Sequence, residues 1–463
     1  MHFDLLITGA RVFSAEGSFR ADVGIRGEKV MAVGRTLKSS KPCPVIDARD
    51  KWLLPGAVDC HVHFQMVQGG VRTADDFENG SKAAACGGVT TFIDFAQQEE
   101  GYSLASALDH RLFEAEDRAC VDFGFHLVIT DWNQRTRGEI PRMVARGVTS
   151  FKAFTCYREE GLYSSDDVLY SLLEETAQCG ATVMLHAENG DLIDGLVEEL
   201  WRDPDYRDVG AYALARTRPP EAEAEAVSRA IRWAASTNGR LHLAHLSTAA
   251  AVEEVVRAKE LGVSVTAETC PHYLLHTEEH LLRKNGHLYA TCPPLRTRKD
   301  SQRLWRGLRE GALDVICTDH CSFTRRQKEK WKGEFTRLRY GLPGVETLVP
   351  VTYTEAVGGK RMTISRWVAL ISSLPAKIFG LFPRKGAILP GSDADLVLFD
   401  PRAKSRVSVK RLQTNVDWYP FARFKGKGAI EMVFSRGNLV AEDGEWVGEE
   451  GTGKFIKRRP WGK

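Results

Sequence analysis

Residues 57–65 read AVDCHVHFQ and carry two histidines, His61 and His63, separated by a single valine. On an extended strand, side chains two residues apart leave the same face, so this spacing aims both imidazoles at one point. The preceding KWLLPGAVD (51–59) is mostly apolar and reads as a buried strand running into the pair. A lone His-x-His arises easily by chance. Its meaning depends on whether the rest of the chain supplies further ligands.

Working outward, apolar strand-like runs alternate with amphipathic segments: GVTTFIDFA, DFGFHLVIT, GVTSFKAFT, ATVMLHAEN, GRLHLAHLST, GVSVTAETC and ALDVICTDH. Between them SLASALDHRLFEAEDRA, SSDDVLYSLLEETAQCG, EAEAEAVSRAIRWAAST and TAAAVEEVVRAKELG space their apolar residues near 3.6. With the strand before His61 this makes about eight strand–helix units, the pattern of an α/β fold built as a TIM-like (β/α)8 barrel. Nothing resembles the Gly-rich phosphate turn of a doubly wound sheet. Residues 1–54 and 384–463 hold short strands separated by Gly and Asp turns, predicting a smaller β-sandwich domain built from both termini. Residues 55–383 then form the barrel.

In such a barrel, function sits where the strands end. The chain places His61, His63, Lys152, His186, His245 and Asp319 there, each late in an apolar run and just before a polar loop. Imidazole and carboxylate groups converging from separate strands suit a borderline divalent cation such as Zn²⁺. Lys152 is the awkward member, because an ammonium repels a metal. Either it pairs with an acid, or its desolvated amine takes up CO₂ to form a carbamate that bridges two metals roughly 3.5–4 Å apart. Four surrounding histidines favour the carbamate. His242, three residues before His245, is expected on the opposite strand face, and His272 and His320 are expected beyond the ligands, His320 orienting Asp319.

Composition limits the partners. A net charge of +2 offers no argument for nucleic acid or an anionic membrane. No apolar run approaches the roughly 20 residues of a membrane span, and the N-terminus lacks a basic leader. Ten cysteines are scattered as singles with no Cys-x-x-Cys, as in a cytoplasmic protein with reduced thiols. The basic end KFIKRRPWGK is expected to be a solvated tail.

Taken together, LPGAVDCHVHFQ, TADDFENGSKAAACGGVTTFIDF, FKAFTCY, HAENGD, RPPEAEAEAVSRAI, LAHLST, ETCPHYL, CPPLR, DHCSF, GSDADLVLFDP and NVDWYPF, in this order, resemble the dihydropyrimidinase/hydantoinase family of cyclic amidases within the amidohydrolase superfamily. The resemblance implies hydrolysis of a hydantoin or dihydropyrimidine ring to an N-carbamoyl amino acid. It implies two divalent ions per chain, Zn²⁺ with Mn²⁺ or Co²⁺ as substitutes, and CO₂ for carboxylation of Lys152. His61 and His63 would bind one metal and His186 and His245 the other, with Lys152 bridging. Asp319 would bind the first metal and shuttle the proton of a metal-bridging hydroxide. Tyr157, Cys292 and Tyr340 would meet the cyclic ureide substrate, the last two through the backbone. Phe64, Met66, Leu162 and Tyr163 would line the pocket for the ring substituent. A homo-oligomer, usually a tetramer, is implied as well.

Some residues depart from that pattern. Tyr340 stands where hydantoinases carry Asn, and LPGVET and ETCPHYL lean towards allantoinase-like or dihydroorotase-like relatives. Against a dihydroorotase, Gln65 follows the His-x-His and no Arg occurs before Arg72. Allantoinase is therefore the alternative enzyme. A non-catalytic scaffold of this fold fits worse, because all six ligand positions are filled.

Overall fold

The computed structural model describes residues 1–462. Eight parallel strands, Ala57–Asp59, Val89–Gln97, Asp122–Val128, Ser150–Phe154, Thr182–His186, Arg240–Leu243, Val265–Thr269 and Val315–Ile316, follow one another in sequence order around the sheet. A bridge between Val62 and His320 brings the first and last strands together, so the sheet nearly closes. Most of these strands are buried on both faces, which is why they read as continuous apolar runs rather than as alternating ones. The intervening segments are helical where the 3.6 spacing predicts it. SLASALDHRLFEA starts at the Ser103 cap, whose side chain accepts from the Ser106 amide, and SDDVLYSLLEETAQC stops at Gly180, whose φ of 67° an L side chain rarely adopts.

The two termini form a nine-stranded sheet beside the barrel. Trp52–Pro55 pairs antiparallel with Leu396–Arg406, and this ladder joins the N-terminal strands to the C-terminal ones. Ile7, Val23, Ile25, Leu53, Leu396, Leu398 and Phe434 pack into a core of their own. Where this unit meets the barrel, the fully buried Lys385 ammonium donates to Asp122 (2.5 Å) and Asp395 (2.6 Å) and lies 3.0 Å from Asp393. Burial works against the Asp393 charge, but Lys385, Lys29 and Arg384 outweigh it and hold its pKa at about 2. Removing one partner of a buried ion cluster leaves uncompensated charge, so Lys385→Met is expected to cost about 3–5 kcal/mol in denaturant unfolding. The Asp393 contribution is present above pH 3.8 and is lost as pH falls towards 2. An acid titration of the melting temperature should show that loss, and Lys385→Met should blunt it.

The basic C-terminus is not a solvated tail. It runs along the N-terminal ends of the barrel strands, where Lys454 O accepts the Phe123 amide (3.0 Å) and the Ile456 and Arg458 amides donate to Phe123 O and Gly147 O (2.8 and 3.0 Å). The buried Arg458 guanidinium reaches Ser150 Oγ and Phe125 O. A charge run suggests solvent, but carbonyls at the barrel base need donors, and only the fold brings the two together. Among the described residues, no helix is long and apolar enough to cross a membrane.

Candidate metal centre

His61 and His63 emerge just past Ala57–Asp59, and Asp319 just past Val315–Ile316. Their side chains meet: Asp319 Oδ1 lies 3.3 Å from His61 Nε2 and 3.1 Å from His63 Nε2. Burial opposes the Asp319 charge, yet His61 and His63 outweigh it and keep its carboxyl well below the ordinary range. Across the barrel mouth, His186 Nδ1 and His245 Nε2 face each other at 3.0 Å. The His61 and His245 ring centres are 5.3 Å apart, so the two groups are neighbours.

Lys152 completes the constellation. Its Nζ is buried with no hydrogen-bond partner, 5.5 and 5.0 Å from the ring centres of Phe95 and Phe154. No carboxylate lies within ion-pair distance among the described residues, which removes the salt-bridged reading. Desolvation pulls its pKa down to about 8, so a neutral amine is accessible near physiological pH. His245 Nδ1 is likewise buried without a partner. An orphaned amine beside four imidazoles and a carboxylate is a donor set suited to divalent cations and unsuited to a self-contained core. The backbone carries a further sign: Tyr157, His245 and Asp319 hold φ of 70°, 37° and 48°, sparsely populated for non-glycine residues and often found at active sites.

The residues behind these donors differ from the expectation. His242 does not turn away from the centre. Arg240–Leu243 ends before His245, whose left-handed turn carries it back inward, so both histidines face the interior. His242 Nε2 bonds Glu268 Oε2 at 3.0 Å. Glu268 itself was not singled out from sequence. It receives His61 Nδ1 at 2.5 Å and the His245 amide at 3.2 Å, leaving His61 Nε2 to face Asp319. The sequence signal was there: a glutamate late in VSVTAETC, at the buried end of the strand Val265–Thr269, must be satisfied by other polar groups. Burial resists its charge, but His61 and His242 hold its pKa well below the carboxylate range.

Two further residues were missed. Glu188 Oε2 accepts His186 Nε2 at 2.7 Å and Arg218 Nη1 at 2.6 Å. His320 does not orient Asp319. It points to Asp75 (3.0 Å) and accepts the Gly344 and Val345 amides at Nδ1, fixing the loop after Tyr340. His272 is buried, its Nε2 unpartnered and its pKa lowered to about 4 by burial.

Tyr157, Cys292 and Tyr340 come together with Arg218, whose guanidinium carbon lies 5.0 and 5.8 Å from the two tyrosine ring centres. The Tyr340 amide donates to Gln68 Oε1 (3.0 Å), fastening the short hairpin of residues 67–72 to this wall. Met66 is half-buried beside that hairpin. Leu162 packs with Phe154, Phe95 and Met184, and Tyr163 lies under Arg158. Phe64 departs from expectation. It is fully buried against Phe77, Phe92 and His320, because Gln65, not Phe64, makes the left-handed turn that starts the loop.

Residues 52–440 match the model of the amidohydrolase family. A D-hydantoinase of Ralstonia pickettii is 37% identical over 99% of both chains, and one of Geobacillus stearothermophilus is 38% identical over 99% of this chain and 97% of that one. The crystal structure of a dihydropyrimidinase from Brevibacillus agri superposes with a TM-score of 0.96 at 37% identity, covering 99% of each chain. A barrel with six convergent donors, matched end to end by these relatives, means that this chain belongs to the metal-dependent amidohydrolase family, in its hydantoinase and dihydropyrimidinase branch of cyclic amidases.

Proposed function

We propose that this protein hydrolyses the cyclic amide bond of a hydantoin or dihydropyrimidine, releasing an N-carbamoyl amino acid, at a centre of two divalent cations. The observation that carries this reading is the buried, unpartnered Lys152 amine among four histidines and Asp319. His61, His63 and Asp319 would hold one cation, His186 and His245 the other, with Lys152 as its carbamate between them. Such a pair supplies Lewis acidity and a water acidic enough to attack an amide near neutral pH. Zinc suits this imidazole and carboxylate set best, with manganese or cobalt as substitutes.

The chain's own groups do the rest. Asp319 takes the proton released on attack and returns it to the departing ring nitrogen. The Tyr157 hydroxyl donates to the carbonyl oxygen as it gains charge, and its burial pushes its pKa well above the ordinary value, so it stays protonated. The Cys292 backbone and the Tyr340 carbonyl meet the ureide edge, the Tyr340 amide being held by Gln68, while Met66, Leu162 and Tyr163 face the ring substituent. Tyr157→Phe is expected to lower kcat by about 10²–10³ with the metal content unchanged, measured by steady-state kinetics beside elemental analysis. Cys43, Cys60, Cys86, Cys120, Cys156, Cys270, Cys292, Cys317 and Cys321 form no disulfide, which fits the cytoplasmic assignment, and a homotetramer is the assembly we assign.

The test is to purify the protein with zinc and bicarbonate, count metal per chain and assay hydantoin, 5-phenylhydantoin, dihydrouracil and allantoin. Two ions with turnover of the first three is the expected result. Two ions with turnover of allantoin alone would move the substrate class. An active enzyme holding one ion or none would overturn the binuclear centre.

A further inference from the structure

Behind His186 lies a buried chain of polar groups that the ligand set does not include. His186 Nε2 meets Glu188 Oε2, and the same oxygen receives Arg218 Nη1. His186, Glu188 and Arg218 are 2%, 0% and 6% exposed, so water does not compete for these bonds. The other carboxylate oxygen, Oε1, has no partner, so the carboxylate hangs from His186 and Arg218 through one atom. Arg296 donates to the Arg218 carbonyl, and the Arg218 guanidinium lies against the rings of Tyr157 and Tyr340.

We propose that Glu188 and Arg218 are positioning residues for the hydrolytic reaction, locking the His186 ring with its Nδ1 lone pair facing His245 and seating the Tyr157 ring from the same anchor. This rests on the binuclear reading above. An imidazole has two neutral tautomers, and a carboxylate on one nitrogen selects the form whose other nitrogen is bare. Here the carboxylate accepts a hydrogen bond from Nε2–H, leaving Nδ1 as the acceptor 3.0 Å from His245 Nε2. Arg218 keeps the carboxylate charged and in place, because an unpaired carboxylate in this interior is costly. The guanidinium plane, unlike an ammonium, can pair with Glu188 while lying against two aromatic rings. One cation therefore links the metal ligand to the tyrosine wall of the pocket.

The experiment compares wild type with Glu188→Gln, Arg218→Lys and Arg218→Ala, all loaded with zinc and bicarbonate. The readouts are zinc retained per chain under graded chelator, kcat, KM and the melting midpoint of the metal-free protein. Glu188→Gln is expected to release one of the two ions at about 10–100-fold lower chelator strength, while the other stays bound. Its kcat should fall by a similar factor with KM moved less, and its metal-free melting midpoint should drop only in part, because the isosteric amide still accepts one hydrogen bond while Arg218 loses its counter-charge. Arg218→Lys should recover part of what Arg218→Ala loses. Wild-type chelator resistance and kcat in Glu188→Gln would overturn the proposal. So would parallel loss of both ions with a collapsed metal-free midpoint, which marks a purely structural pair. Fewer than two ions in wild type would instead remove the binuclear reading, and this role with it.

Discussion

Replacing Lys152 by alanine is expected to lower kcat by about 10³-fold or more and to reduce the metal content below two per chain. Metal-derived charge stabilisation is worth several kcal/mol, and each 1.4 kcal/mol is tenfold in rate. The substitution itself is gentle on the fold. Lys152 makes no hydrogen bond or ion pair that alanine would break, and its neighbours Phe95 and Phe154 remain to fill the mouth of the barrel. A structural lysine in this position would behave in the opposite way, because removing an unpartnered buried amine relieves a desolvation cost and should leave the protein as active and more stable. The measurement is elemental analysis, kinetics and melting temperature on the same preparations. Partial rescue of Lys152→Ala by a small carboxylic acid would identify the missing group as a carboxylate. Full activity in the variant would end the carbamate assignment.

Asp319→Asn is expected to lower kcat by about 10²–10⁴, the range that general acid–base catalysis contributes. Asparagine keeps the shape and one oxygen but cannot take up a proton, so the loss should fall on kcat more than on KM. The main chain at Asp319 sits at φ 48°, which asparagine tolerates better than most residues, so the loop should survive the change. Metal analysis separates the two duties assigned to this residue. An inactive variant that still holds two ions would place its main role in proton transfer, and one that holds a single ion would place it in ligation. Wild-type kcat in the variant would remove Asp319 from both.

Much of this is legible in the sequence. Parallel strands buried on both faces produce continuous apolar runs, so the strand ends stand out, and His61, His63, Lys152, His186, His245 and Asp319 could be picked out as the polar residues closing those runs. Periodicity placed the helices, and Gly180 and Ser103 marked ends of two of them. Other features depended on pairings between residues far apart in the chain. Glu268 meets His61 across 207 positions and Arg458 reaches Phe125 across 333, and no local pattern encodes such a meeting. Strand alternation misplaced His242 relative to His245, because it assumes a strand that in fact stops at Leu243.

The sequence by itself determined the barrel, the two-ended second sheet and the chemical types of the convergent donors, since those follow from periodicity and from which polar residues interrupt buried strands. Only the tertiary structure decided which atoms face one another. Left-handed turns at His245 and Asp319 bring side chains from separate strands to 3.0–3.3 Å, and buried carboxylates at Glu268 and Glu188 select the ring nitrogen each histidine offers. Those choices are made by packing and by the need to satisfy every buried polar group, which are properties of the folded interior rather than of any segment.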